Sequence, residues 1–423
     1  MSPTFHSLRI RNYRIYAGGA VVSNVGTWMQ RVAQDWMVLK LTDNSATALG
    51  IVTGLQFLPM LLLSPSAGLV ADRFAKRKVL VVTQLMMAAP ALLLGGLAVT
   101  DSVQLWHAYV LAFVFGVGTA FDAPARQSFV VEMVGTDDLA NAVGLNSASF
   151  NSARIVGPAI AGFTIAALGS DVQATGWAIL ANGISYFAVI ASLMRLDRRD
   201  LTPSDPVARG PGGIREGVSY VRGRPDLMLV LATVFFVGTF GLNFQMTSAL
   251  MATEVFHKGA GEYGLLGSFM AVGSLAGSLL AARRANPRVR TVLAGAFVFS
   301  VLLIVVGMMP TYWSFAAMLP LVGLTALTMI TTANATIQLT VRADMRGRVA
   351  ALYMMIFMGG TPLGAPLIGV IGEVFGARWT LTGGGLITLA GLLVSLGLYL
   401  RSTGTRITRQ PGDLWHPTAQ THL

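Results

Sequence analysis

The chain has 423 residues, of which 54% are hydrophobic and only 12% charged, with a mean hydropathy of +0.64. A soluble domain carries about 25% charged residues, so this chain cannot cover a water-facing surface, and an all-α polytopic membrane protein is expected. The net charge of +11 would suggest nucleic acid in a soluble chain; here the basic residues stand in short loops between apolar runs, so they are read as topology, with the bilayer and no nucleic acid as partner.

Arg9, Arg11 and Arg14 precede the first long apolar run. That run exceeds a signal-peptide core of about 7–15 residues and lacks an Ala-x-Ala cleavage site, so it is predicted to stay as an anchor. A crossing helix needs about 20 mainly apolar residues. That ruler predicts twelve transmembrane helices, at 15–39, 46–71, 79–99, 105–124, 140–168, 174–194, 227–252, 263–282, 292–309, 312–338, 349–374 and 379–400. Backbone groups in lipid need internal partners and no alternating barrel strands are present, so the spans are helices.

Lysine and arginine counts orient them. With the N-terminus in the cytoplasm, 25 of the 30 cations fall in inside segments. Lys40, Lys258 and Arg378 fall outside, and only Arg31 and Arg154 lie within spans. Both termini are therefore expected to be cytoplasmic, in a multi-pass membrane protein. The segment 195–226 contains Pro203, Pro206, Gly210, Pro211, Gly212 and Gly213, which argue for a linker, with Ile214–Val221 as a short helix lying on the membrane. The expected units are a six-helix bundle at 1–194, the linker at 195–226, a second six-helix bundle at 227–401 and a tail at 402–423.

A charged knot, Gly68-Leu69-Val70-Ala71-Asp72-Arg73-Phe74-Ala75-Lys76-Arg77-Lys78, separates spans 2 and 3. A weaker echo, Ala282-Arg283-Arg284-Ala285-Asn286-Pro287-Arg288, stands about half a chain later, between spans 8 and 9. Two parallel, pseudo-symmetric six-helix halves with substrate bound between them is the repeat logic of a large transporter class. Over about residues 10–400 the chain resembles the major facilitator superfamily. The first knot is similar to that superfamily's loop 2–3 signature, with departures at Val70 and Ala75. Gly144, Ala153, Gly157-Pro158 and Ala161-Gly162 resemble the span-5 motif of proton-coupled antiporters. Gln34-Asp35-Trp36, Phe121 to Gln127 and Asn151 to Pro158 are similar to the branch of enterobactin exporters and macrolide efflux proteins.

The resemblance implies that Gly68, Asp72, Arg73 and Arg77 form a conformational lock. Asp72 would face the start of span 11 near Arg346 or Arg348, and Arg73 or Arg77 would face Asp122. The bland alternative, anchoring of topology, is preferred for Lys76 and Lys78. Asp122 and Arg126 share a face at the end of span 4, as an interfacial ion pair or an inner gate. Arg31 and Asp35 lie four apart on one face of span 1, in a polar stripe with Asn24, Gln30 and Gln34. A charge at a helix centre costs about 2.5–3.5 kcal/mol on insertion scales, so such residues face a cavity or each other. Asp35 is the candidate proton carrier, with Arg31 and Gln34 beside it; a static ion pair is the alternative. Arg154, the only charge on span 5, needs an anionic partner, Asp35 or an acidic substrate group, or ties to carbonyls. The span-5 residues Gly144, Gly157, Pro158 and Gly162 are expected to make a gating interface. Gly50/Gly54, Gly273/Gly277 and Gly360/Gly364 are read as ordinary packing, and Pro362 and Pro366 as a breakpoint in span 11. Phe236, Phe240 and Asn243 on span 7, with Asn24, are candidate substrate-cavity residues, though lipid contact or plain core packing is the preferred reading of the phenylalanine stripe.

Other chemistries lack their residues. Cysteine is absent, and His6, His107, His257, His416 and His422 have no ligand spacing. No Gly-x4-Gly-Lys-Ser/Thr loop offers ATP drive, and no nucleophile elbow, zinc motif or paired carboxylates suggest an enzyme. The expected function is secondary active efflux of amphipathic small molecules such as drugs, macrolides or siderophores, by a monomer that uses the proton motive force and no cofactor. An importer or lipid mover of the same fold is the alternative; a sensor or scaffold fits poorly with a short tail. The second knot has Ala282 where the first has Asp72. Asp72→Asn is therefore expected to shift the conformational equilibrium toward inward-open, with substitution of Arg283 doing less. Conformation-specific crosslinking checks this, and equal effects at the two knots would defeat the asymmetry.

Overall fold

The computed structural model describes residues 3–135, 137–197, 199–202, 213–282, 288–342 and 344–403. Among these the chain is all-helical, without strands. The first six long helices are α1 (Arg11–Leu41), α2 (Ala46–Arg73), α3 (Lys76–Val99), α4 (Leu105–Val134), α5 (Leu139–Ala167) and α6 (Val172–Met194). A short α7 (Gly213–Arg222) follows. Then come α8 (Pro225–Phe236), α9 (Phe244–Leu250), α10 (Ala260–Ala282), α11 (Val289–Gly307), α12 (Tyr312–Thr340), α13 (Arg346–Gly359), α14 (Thr361–Phe375) and α15 (Ala377–Thr403).

Local chemistry sets the boundaries. The Ser45 hydroxyl accepts from the Ala48 N–H at 3.2 Å and caps α2. Asp171 does the same for α6 through the Ala174 N–H at 2.7 Å. Gly135 and Gly376 end α4 and α14 at positive φ (69° and 96°), where a side chain would strain the turn. Helices α8 and α9 belong to one apolar stretch, Pro225–Val255, interrupted by π-turns at Val237–Gly241 and Met251–Val255. Helices α13 and α14 likewise form one stretch, Arg346–Phe375, divided at Gly360 with Pro362 in the first turn of α14.

Ten stretches among the described residues are long and apolar enough to cross a membrane. Helices α1 and α5 have the length but not the apolarity. Asn24, Gln30, Arg31, Gln34 and Asp35 interrupt α1, and Asn141, Asn146, Asn151 and Arg154 interrupt α5. A helix of that polarity needs neighbours that satisfy it. Helix α1 has them, packing against α5, α6 and α4.

The neighbours repeat. Helix α2 packs on α4, α3 on α4 and α6, and α1 on α6. Correspondingly, α10 packs on α12, α11 on α12 and α15, and α8 on α15. Two seams join these sets, α2 against α14 and α5 against α10. A Cβ on Gly50 would lie 2.5 Å from the Ala365 carbonyl, and one on Gly54 2.9 Å from the Pro366 ring. The Gly50/Gly54 pair, expected to be ordinary packing, thus makes the α2–α14 seam. Gly273 and Gly277 do pack ordinarily, against Pro320 and Leu324 of α12 in their own set, and Gly360 and Gly364 do so against Thr239. At the end of the bundle that carries Lys40 and Lys258, the Glu373 carboxylate accepts from the Ser45 hydroxyl (3.1 Å) and the Thr47 N–H (3.2 Å). It thereby joins the end of α14 to the positive N-terminus of α2.

Helix α7, expected around Ile214–Val221, docks on protein with one face. It packs along α13, with Glu216 and Arg348 paired at 2.8 Å and Val221 buried in the core. The linker residues Pro203, Pro206, Gly210, Pro211 and Gly212, the second knot at Arg283 and Arg284, and the tail from 404 onward lie outside the described residues.

Gly273→Ala should force α10 and α12 apart, because the new methyl would overlap the Pro320 carbonyl. A loss of about 1–3 kcal/mol is expected, seen as a lower unfolding temperature in detergent. Gly18→Ala, where a Cβ meets nothing within 4 Å, should leave that temperature unchanged.

Candidate functional site

The polar face of α1 divides among its neighbours. Asn24 donates to the Ser149 hydroxyl of α5 at 3.3 Å. The Gln30 side-chain carbonyl accepts from Asn182 of α6 at 2.5 Å, and Asn182 also reaches the Tyr186 hydroxyl at 3.1 Å. Gln34 is buried. Asp35, only 7% exposed, accepts from the Tyr263 hydroxyl of α10 at 2.8 Å. The Gln245 backbone carbonyl is a second acceptor for that hydroxyl at 3.3 Å. Trp36 stacks on the Tyr263 ring with centroids 6.3 Å apart and planes 19° apart, and its N–H donates to the Ser170 carbonyl at 3.1 Å. Asp35 is thus held by a residue of the opposite helix set.

Arg31 is not its ion-pair partner: no Arg31–Asp35 pair lies within 4.0 Å, so the static pair considered from the sequence is absent. The Arg31 guanidinium lies 4.7 Å from the Trp28 ring centroid and 5.4 Å from that of Phe57. The Arg154 guanidinium lies 5.5 Å from the same Trp28 ring. Each such contact is worth about 0.5–2 kcal/mol. Trp28 also meets Phe150 edge-on at 5.6 Å. Gly157 of α5 makes this arrangement fit, since a Cβ there would lie 2.6 Å from the Trp28 Cβ.

The span-5 residues therefore serve two neighbours. Gly157 seats α1, whereas Pro158 and Gly162 meet α10. A Cβ on Gly162 would lie 2.5 Å from the Ala260 carbonyl, one on Gly264 would overlap the Pro158 carbonyl, and Ser268 donates to the Ile155 carbonyl at 2.5 Å. Gly144 has open space around it. Phe236 and Phe240 stack at 6.3 Å and pack on α15, where Gly391 leaves room for the Phe236 ring and Gly384 meets the Phe240 carbonyl. Both side chains pack on α15 with one face and remain partly exposed. Asn243 donates to the Thr239 carbonyl at 2.7 Å beside the π-turn, and its own Oδ1 is buried without a partner.

At the arginine-rich end the expected pairings are redistributed. Asp122 takes Arg126 at 2.8 Å, the Thr83 hydroxyl at 2.9 Å and the Gln84 amide at 2.8 Å. Arg77 donates to the Met194 carbonyl at 3.1 Å, and Arg73 is exposed. The knot cation that meets an acid on α4 is Lys76, 2.6 Å from Glu132, with both side chains buried. Lys76, read as a topology anchor, begins α3 and turns inward, which corrects the expected Arg73 or Arg77 contact with Asp122. Asp72 and Gly68 lie half-buried in the last turns of α2. The carboxylate facing Arg348 is Glu216, and Arg346 donates to the Val341 carbonyl at 3.2 Å.

A family model described as transmembrane secretion effector matches residues 2–421. The chain belongs to this family, within the major facilitator superfamily. It is 25% identical over 377 residues to the staphyloferrin A transporter of Staphylococcus aureus (88% of this chain, 92% of the relative). It is 28% identical over 372 residues to the multidrug efflux pump Tap of Mycolicibacterium fortuitum (85% and 89%). It is 24% identical over 396 residues to macrolide efflux protein A of Streptococcus pyogenes (90% and 95%). Among solved structures, a bacterial homologue of the human lysosomal transporter Spinster, inward-facing and unoccupied, superposes with a TM-score of 0.68 at 15% identity, covering 95% of this chain and 97% of that one. This likeness is one of fold. As a member of the transmembrane secretion effector family, the chain is a multi-span membrane transporter.

Sequence reasoning missed Tyr263, Trp28 and Glu132, and it set Lys76 aside. Removing one partner of the Lys76–Glu132 pair strands a buried charge, so Lys76→Met or Glu132→Gln should each cost about 3 kcal/mol. The Lys76→Met/Glu132→Met double variant should cost less than the two single losses together. Unfolding temperatures in detergent check this, and single variants as stable as the parent would make the pair idle.

Proposed function

We propose that this transporter is a proton-coupled exporter of amphipathic small molecules that works by alternating access. Its twelve spans would place both termini in the cytoplasm of a bacterial inner membrane. The cation distribution supports that topology, and the relatives named for drug, macrolide and siderophore transport support the cargo class.

The observation that carries the mechanism is the buried hydrogen bond between Asp35 and Tyr263, which joins α1 to α10 across the seam between the two sets. A carboxylate accepts such a bond more strongly than a neutral acid, by roughly a factor of two. In the proposed cycle, ionised Asp35 holds Tyr263 and the end carrying Lys40 and Lys258 stays closed, so cargo loads from the cytoplasmic side. Cargo binding opens that end; Asp35 then takes a proton from outside, and the cargo-free, protonated form rocks back and releases the proton to the cytoplasm, where ionised Asp35 regains its full-strength bond to Tyr263. Asp72 and its loop, with Asp122 and Arg126, are assigned to the opposite, inner closure. One proton moving down 100 mV supplies about 2.3 kcal/mol, enough for roughly a fifty-fold cargo gradient at strict coupling.

The test is flux in proteoliposomes with an imposed pH gradient, over a panel of siderophores, macrolides, dyes and lysolipids. Asp35→Asn should abolish uphill efflux of whichever cargo the parent moves. Tyr263→Phe keeps the ring on Trp36 but loses the bond; it should retain proton dependence while shifting the closed-to-open ratio roughly tenfold. Full proton dependence in Asp35→Asn would exclude Asp35 as the carrier, and counterflow in inside-out against right-side-out vesicles sets the direction.

A further inference from the structure

Around Trp28 the structure collects hydrogen-bond donors and leaves them without acceptors. Arg31 from α1 and Arg154 from the middle of α5 lie on the same indole. Among the described residues, neither guanidinium makes a hydrogen bond or an ion pair within 4.0 Å. The Arg31 Nε and the Trp28 Nε1 are buried atoms without a partner. The acid within reach, Asp35, is committed to Tyr263. Two like charges share one ring, and a guanidinium offers five N–H donors and no acceptor. Stranding such groups is costly unless something negative joins them. The walls are aromatic: Phe57 on the far side of Arg31 and Phe150 edge-on to Trp28. Trp28, Arg31, Arg154 and Phe57 are each partly exposed, so this cluster remains open to a ligand.

We propose that Arg31, Arg154 and the Trp28 N–H form the cargo's headgroup site, and that the cargo carries an anionic, acceptor-rich group (a carboxylate or a phosphate) on an aromatic or aliphatic body. This rests on the reading of the chain as a transporter with its cargo site on α1 and α5. It adds the sign of the cargo's charge, which the drug and siderophore relatives leave open. A planar fork of N–H donors takes two oxygens of a carboxylate or phosphate at once, whereas a quaternary ammonium would meet two cations. Gly157, by seating α1 tightly on α5, brings the two arginines onto one ring.

The test is equilibrium binding to the full chain in nanodiscs, with no pH gradient, so it can fail while Asp35 still carries protons, and the reverse. The probes are 2-naphthylacetate, its amide and 2-naphthylmethyl-trimethylammonium, with lysophosphatidylglycerol against lysophosphatidylcholine as a second set. The anionic member of at least one set should bind about tenfold tighter than its uncharged or zwitterionic counterpart. Arg31→Gln and Arg154→Gln should each erase that preference while changing affinity for the counterpart less than about twofold. Preference for the naphthyl acid alone assigns a soluble carboxylate, and preference for the lysolipid alone assigns a lipid phosphate. The proposal is overturned if the ammonium binds best, if neither anion is preferred, or if the preference survives both substitutions. Unfolding temperature gives a second arm. Without probe, Arg154→Gln should shift the unfolding temperature by less than about 4 °C, because relief of the repulsion from Arg31 offsets the lost Trp28 contact; a larger fall would make the guanidinium structural and overturn its assignment to cargo.

Discussion

Two sets of helices in a bilayer can touch closely only where side chains vanish, since lipid gives no hydrophobic reward for bringing them together. The site depends on that constraint. At the α5–α10 seam Gly162 admits the Ala260 carbonyl and Gly264 admits the Pro158 carbonyl, so backbone meets backbone. That contact fixes the first turn of α10 against the end of α5, and Tyr263 stands in that turn. Its hydroxyl then reaches the Asp35 carboxylate, and the stacking on Trp36 fixes the ring plane. The α2–α14 seam does the same on the other side with Gly50, Gly54, Ala365 and Pro366. One substitution at the α5–α10 seam would move Tyr263 without touching Asp35.

Hydropathy made the helices legible, because lipid demands long apolar runs and punishes interrupted ones. The same ruler did not mark α1 and α5 as exceptions, although their polar residues leave them less apolar than the other spans. Residue partners were less legible. Tyr263 is 228 positions from Asp35 and is uncharged, so neither spacing nor charge marks it. Lys76 and Arg77 are adjacent cations of equal charge. Only the phase of α3 decides that Lys76 turns in to Glu132 while Arg77 reaches the Met194 carbonyl. The Phe236/Phe240 spacing reports a shared face but not what the face meets; Gly391 of α15, far along the chain, decides that. The glycine pairs have the same ambiguity. Gly50/Gly54 and Gly273/Gly277 have one spacing, yet the first joins the two sets and the second lies within one.

The linker helix shows why a motif match does not transmit its contacts. The knot's resemblance implied Asp72 against the start of α13. Arg348 at that start is occupied by Glu216 of α7, and the α2–α13 approach includes Leu61 against Gly359. In this structure the two sets are therefore joined through glycine at the Lys40 end, while the α13 start is engaged by the linker. The partner of Arg348 is thus set by the linker helix, which the spacing of the knot does not report.

Helix α1 carries both halves of the proposed chemistry, and they answer to different neighbours. Asp35 is held by α10, in the opposite set; Arg31 is held by Trp28, which α5 seats within its own set. One helical turn separates them, so a change at one is felt by the other through α1 itself and through the charge it carries. Cargo sign then enters the energetics. A cationic drug leaving a negative cytoplasm moves against the potential and needs the proton to drive it. An anion leaving the same compartment gains about 2.3 kcal/mol per charge at 100 mV. With an anionic cargo on Arg31 and Arg154, the potential does part of the work on the cargo. Asp35 then acts mainly by timing when the Lys40 end opens, which is what a carboxylate bonded across the seam is placed to do.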